Sequence, residues 1–224
     1  MSHIRKVGGL LSALGATLIV LSDRQTRERQ GIAGRVPVDG SKSLTLAQWK
    51  QAGTIIREAE RASAEFGLRT VFHPHVATHV ETSSEVECLF DALAGAHVGL
   101  CLDTGHCVYG GGDPLSEAQK YRSALEYVHI KDVDAGILGE ARRKKLNFEE
   151  AVGAGVFSGI GKGCIDFEGF FKFLDESRYT GWAIVEQDVI FGKSAVPPVE
   201  NMRGSLGYLR AVMATLGASR SHRA

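Results

Sequence analysis

No apolar run in this chain approaches the roughly 20 residues needed to cross a bilayer, so no membrane span is expected. No Cys-x-x-Cys pair occurs either. The four cysteines, Cys88, Cys101, Cys107 and Cys164, are scattered, and a chain of 224 residues can bury a core without covalent staples. A disulfide framework is therefore not expected, and a reducing, cytoplasmic setting is. Net charge is absent too: 26 Lys plus Arg stand against 26 Asp plus Glu. Non-specific nucleic-acid binding, which depends on phosphate neutralisation, is a poor fit to that balance. Low-complexity tracts and linkers are lacking. With 44% hydrophobic and 23% charged residues, residues 1–224 are expected to form one folded domain. The short apolar stretch near the N-terminus runs into strand-like sequence and is read as part of the fold rather than a secretion signal.

Five short runs rich in β-branched and aromatic residues stand out: Thr17–Ser22, Arg69–Pro74, Val98–Asp103, Tyr127–Asp132 and Trp182–Asp188. Each is nearly continuous rather than alternating, which suits strands buried on both faces of a parallel sheet. Helical patterns lie between them. Thr45 and Gln48 form a capping-box pair opening a helix towards Phe66, with Gly67 at its C-terminal stop; Thr82 and Glu85 open a second, stopped near Gly95. Val199, Met202, Leu206, Leu209 and Met213 recur at spacings of three and four, predicting an amphipathic final helix. Residues 22–43 are polar and read as one long loop. Alternating strands and helices argue an α/β fold with parallel strands.

Four of these strands end on a ligand-type residue: His73, Asp103, His129 and Glu186. Their separations are 30, 26 and 57 residues, the last about two of the shorter steps. One βα unit repeated around a barrel produces that period, and barrel chemistry sits at the C-terminal strand ends. A histidine or carboxylate that ends a buried strand without a partner is costly, so their convergence on one rim is the economical explanation. Together they make a mixed nitrogen and oxygen set suited to Mn, Co, Fe or Zn.

Further polar residues accompany them. His73 and His75 are two apart and share a face; the pair suits a metal or a polar substrate, or is simply hydrogen-bonded at a strand end. Asp103 precedes His106 by three residues through Gly105, which brings the imidazole back over the carboxylate, or Asp103 merely caps the next turn. His129 and Lys131 share a face, where a lysine can stabilise an oxyanion. Glu186 can bind metal or act as a general base. The closely spaced glycines of GIGKGCIDF could cradle a phosphate, but a tight loop preceding a helix capped by Asp166 fits them better.

The runs HPHVATHVET, LDTGH, GGDP, HIKDV and VEQD resemble the inosose dehydratase (2-keto-myo-inositol dehydratase) branch of the xylose-isomerase-like sugar isomerase/epimerase superfamily, from about Leu10 to Leu209. That resemblance implies a TIM (β/α)8 barrel with one divalent metal, Mn or Co, with Zn, Fe or Mg also admissible. It implies metal ligands at Asp103, His129 and Glu186. His73 stands where most relatives have a first Glu, with Glu81 as the nearest acidic substitute. His75, Glu81, His106 and Lys131 are implied to face the substrate. Lys162 stands where the branch often has Glu. A complete barrel has eight strands and typically about 250 residues, against the five βα units read here; by resemblance the first three are missing from an N-terminally truncated barrel.

The implied reaction is metal-assisted loss of water from a cyclic polyol ketone, giving a diketone in inositol catabolism. The base is Glu186 or a histidine such as His75, and the acid His106 or Lys131. An isomerase or epimerase of the same scaffold is the alternative, and an inactive partial barrel serving as a binding or assembly partner is a third. The expected partner is a small polyol ketone or sugar, in a chain that is free to form a homo-oligomer.

Overall fold

The computed structural model describes residues 1–190, 192 and 196–221. In chain order the elements are α1 (Ser2–Ala13), β1 (Leu18–Leu21), α2 (Arg27–Ile32), α3 (Leu46–Ala64), β2 (Arg69–Phe72), α4 (Ser83–Ala92), β3 (Val98–Asp103), α5 (Thr104–Tyr109), α6 (Pro114–Lys120) and β4 (Leu125–Ile130). They continue through β5 (Asp132–Val133), α7 (Ala135–Lys144), α8 (Phe148–Gly153), β6 (Phe157–Ser158), α9 (Phe167–Glu176), β7 (Trp182–Val185) and α10 (Pro198–Ser221). The five expected strands form one sheet in the order β1-β2-β3-β4-β7, every neighbouring pair parallel. β5 and β6 make a small antiparallel ribbon beyond the C-terminal end of β4.

β3 is buried at all six positions, as its unbroken apolar run requires. Leu100, Leu102, Val128, Ile130, Phe167, Phe170 and Leu174 pack the sheet against α9, while Phe72 and Val98 meet Trp49 and Leu89 from α3 and α4. A third cluster, with Tyr109, Phe148 and Phe157, lies over the C-terminal ends of the strands. Both expected capping boxes are formed, by Thr45 with Gln48 and by Thr82 with Glu85. Gly67 and Gly95 take the left-handed backbone that stops each helix, with φ of +71° and +80°. Among the described residues β1 and β7 do not pair with each other, so the sheet is a five-stranded arc with two edges.

Two expectations are corrected. The stretch 22–43 is not one loop: α2 interrupts it, N-capped by the Thr26 hydroxyl, which accepts from Arg29 N. It is pinned by the buried, two-pronged ion pair of Arg29 with Glu85. The final helix forms, but of its apolar stripe only Leu209 packs against the core. Val199, Met202, Leu206 and Met213 are exposed, and Asn201, Ser205 and Val212 are buried instead. The cause is the loop beneath: the Ile160 N–H is buried there and takes the Ser205 hydroxyl as its acceptor at 2.9 Å. Satisfying a buried amide sets the helix's rotation in preference to burying the stripe.

Candidate metal centre and active site

The four strand-end residues come together. One ligand atom from each of His73, Asp103, His129 and Glu186 lies within 4.8 Å of the others. Asp103 Oδ2 is the hub, 3.7 Å from His73 Nε2 and 3.6 Å from His129 Nδ1. Glu186 Oε2 is 3.3 Å from His129 Nδ1. Two donors bound to one cation at about 2.1 Å in tetrahedral geometry sit roughly 3.4 Å apart, so these three spacings are close to what a shared ion requires. The buried Asp103 Oδ2 and His129 Nδ1 make no hydrogen bond of proper geometry, although the Lys131 ammonium stands 3.0 Å from Asp103 Oδ2. Buried polar atoms without such partners fit a cation, which would satisfy them.

The local fold aims each donor. Asp103 pairs in register with His129 across β3 and β4. Its Oδ1 accepts from His106 N at 2.8 Å, capping α5 and thereby fixing Oδ2 towards the cluster. The capping and ligand readings of Asp103 thus describe its two oxygens. The ring of His129 has Nε2 beside Cys101 Sγ at 3.6 Å, leaving Nδ1 for the carboxylates. Glu186 continues the ladder past β7, its N–H donating to Ile130 O.

A second tier lies two residues further along three of these strands, as the pleat dictates: His75 after His73, Lys131 after His129, Asp188 after Glu186. His106 joins it from α5. Lys131 Nζ is 3.1 Å from His106 Nε2 and 3.3 Å from Asp188 Oδ2, and His106 Nε2 is 3.5 Å from Asp188 Oδ2. The His75 and His106 rings lie against each other, tilted by 39°, with centroids 3.7 Å apart. His75 Nδ1 lies 2.6 Å from Val76 O; a carbonyl only accepts, so Nδ1 carries the proton and Nε2 holds the free lone pair. Phe148 and Phe157 wall the tier, and a cavity of about 330 Å³ opens beside Asp188, lined by Ile137, Phe157, Ser158, Lys162 and Gln187.

Burial lowers His106 well below the usual imidazole range, outweighing the pull of Asp103, and burial also lowers His75. The lowered His75 imidazole is neutral near pH 7. For Asp103, burial pushes upward but the combined attraction of His106, Lys131, His129 and His73 prevails, holding the carboxyl well below the usual range. For Lys131, burial pushes downward but Asp103, Asp188 and Glu186 prevail, keeping the ammonium charged.

Glu81, expected at the substrate, is elsewhere in purpose. Its oxygens accept from Gly34 N at 2.7 Å and Ala77 N at 2.8 Å, and it is fully enclosed beside Arg29. The reason is local: Ala77 turns with φ of +67° and presents its amide inward, where it needs an acceptor. The glycine-rich loop cradles no phosphate, because Asp132 fills it, accepting from Gly161, Gly163 and Ile165 N–H groups. Asp166 caps α9 as expected. Asp188 was missed by the sequence reading; the two-residue spacing that flagged His75 and Lys131 marks it equally.

Comparison with known proteins agrees with this architecture. Residues 2–212 match the family described as xylose isomerase-like TIM barrel. An inosose dehydratase from Clostridium beijerinckii is 35% identical over 178 residues, covering 80% of this chain and 59% of that protein. An L-ribulose 3-epimerase structure superposes with a TM-score of 0.71 at 14% identity, covering 100% of this chain and 70% of the other. The IOLI protein with a bound zinc atom superposes at 0.66 and 16% identity, covering 96% and 69%. The chain spans about 60% of the length of the curated relatives it matches. The five-stranded parallel arc is therefore part of a known scaffold, and the chain belongs to the xylose isomerase-like TIM-barrel family.

Proposed function

We propose that this chain carries the metal-binding and acid–base half of a hydro-lyase acting on a keto-inositol, with the His73, Asp103, His129 and Glu186 donors holding one divalent ion, Mn or Co. The observation that carries this reading is the donor spacing, together with the relatives named inosose dehydratase. A bound divalent ion supplies Lewis acidity towards a ketone oxygen. Dehydration requires the carbon next to that ketone to lose a proton and the next carbon to lose its hydroxyl as water; the resulting enol then tautomerises to a diketone. His75 Nε2, neutral and unblocked, takes the proton, a role Glu186 leaves to it as a donor to the ion. Lys131, whose ammonium faces Asp188 Oδ2 at 3.3 Å, gives its proton to the departing hydroxyl. Phe148 and Phe157 form an apolar wall against His75 and His106, and the adjacent cavity of about 330 Å³ is of a size for a six-membered polyol.

The epimerase reading needs the same enolisation but keeps the hydroxyl, and the likeness to an epimerase scaffold supports it at the level of fold. One assay separates the two: the Mn-loaded chain is given 2-keto-myo-inositol, and diketone absorbance is followed alongside epimer formation. Diketone that disappears in Asp103→Ala and His129→Ala supports the lyase; epimer without diketone replaces it; neither product rejects both.

A further inference from the structure

Among the described residues, Lys131 is the one cation buried in this site, at 1% exposure. Its stem lies over Gly105, where an added Cβ would fall 2.6 Å from Lys131 Cγ, so only glycine leaves room for it. Its Nζ is 3.0 Å from Asp103 Oδ2 and 3.3 Å from Glu186 Oε2. Those two atoms also belong to the four-donor set. An ammonium and a divalent ion that share two oxygens compete for the same negative charge, and in a buried site that competition is poorly screened. Of the three carboxylates around Lys131, only Asp188 stands outside the four-donor set; it groups instead with His75 and His106, a second cluster of ligand-type atoms.

We propose that Lys131 is a tethered competitor for the cation site. The proposal rests on the metal reading above. A divalent ion claims Asp103 and Glu186, and the ammonium then leans on Asp188 and His106, at the mouth of the cavity. Metal affinity and the placing of the ammonium beside substrate are in this way one equilibrium, with Asp188 the positioning residue that draws the lysine off the donors.

The test is calorimetric titration of the 224-residue chain with Mn²⁺, with folding checked by circular dichroism. Lys131→Met and Lys131→Gln are expected to bind at least tenfold more tightly than the unaltered chain. Asp188→Asn, which leaves the ammonium only the two shared carboxylates, is expected to bind at least threefold more weakly. Lys162→Gln, on the same cavity, controls for simple charge removal and is expected to stay within twofold. Folded Lys131 variants that bind no more tightly than the unaltered chain, or a Lys162→Gln gain as large as theirs, overturn the competition while leaving the metal reading intact. An unaltered chain that binds no Mn²⁺ overturns both. If the Lys131 variants do not fold, Asp188→Asn decides: weaker binding supports the proposal, and unchanged or tighter binding overturns it.

Discussion

Replacing Asp103 by Asn removes one charge from the centre of the site while leaving an oxygen able to cap α5 through His106 N. Asp103 Oδ2 lies 3.0 Å from the Lys131 ammonium. At an effective dielectric constant near 20 such a pair attracts by about 5 kcal/mol. Two effects reduce the net loss. Lys131 keeps Glu186 and Asp188, each at 3.3 Å, and the amide escapes the desolvation cost of a wholly enclosed carboxylate. Breaking a buried pair on one side costs about 3–5 kcal/mol, and the remaining partners place Asp103→Asn at the lower end, about 3 kcal/mol. Urea unfolding of the chelator-treated protein at pH 7 measures this directly, with a lowered midpoint at unchanged slope. Mn²⁺ titration of the same variant is expected to show affinity lost by at least a hundredfold. A loss under 1 kcal/mol with Mn²⁺ binding retained would refute the assignment of Asp103 as the hub.

Three other outcomes follow from the packing. Gly105→Ala places a methyl group against the Lys131 stem and is expected to cost about 1–3 kcal/mol as overpacking, read as a fall in thermal midpoint. Asp132→Ala strips the acceptor from four N–H groups, those of Val133, Gly161, Gly163 and Ile165, and is expected to cost about 3–5 kcal/mol; hydrogen exchange should quicken in the 159–165 loop first. Burial pushes the Glu81 carboxyl up to about 7, against the opposing pull of the Gly34 and Ala77 amides. A raised carboxyl favours folding while protonated, so its contribution is complete below about 4.5 and fades as pH rises through about 7. The span corresponds to roughly 3 kcal/mol. Unfolding midpoints of the unaltered chain between pH 5 and 8 should therefore fall more steeply than those of Glu81→Gln, and parallel slopes would contradict this.

The strands were legible because burial on both faces writes an unbroken apolar run, as in Val98–Asp103. The helix starts were legible because their caps are local hydrogen bonds three residues apart. The four donors were legible because a charged or imidazole group at the end of a buried strand is otherwise expensive. What stayed hidden depends on long-range partners. The rotation of α10 is set by an amide of the 159–165 loop, 45 residues away from Ser205. The role of Glu81 is set by the inward amides of Gly34 and Ala77, and α2 is fixed by Arg29 reaching Glu85, 56 residues on. Asp188 differs: its period-two spacing from Glu186 was visible, and only its contact with Lys131 shows what that spacing is for.

The central claim is that four side chains from four strands hold one ion. Diffraction from Mn-soaked crystals at the manganese absorption edge tests it most directly. The expected result is a single anomalous peak in bonding distance of His73 Nε2, Asp103 Oδ2, His129 Nδ1 and Glu186 Oε2. A peak elsewhere on the chain, or none at saturating Mn²⁺, would contradict it.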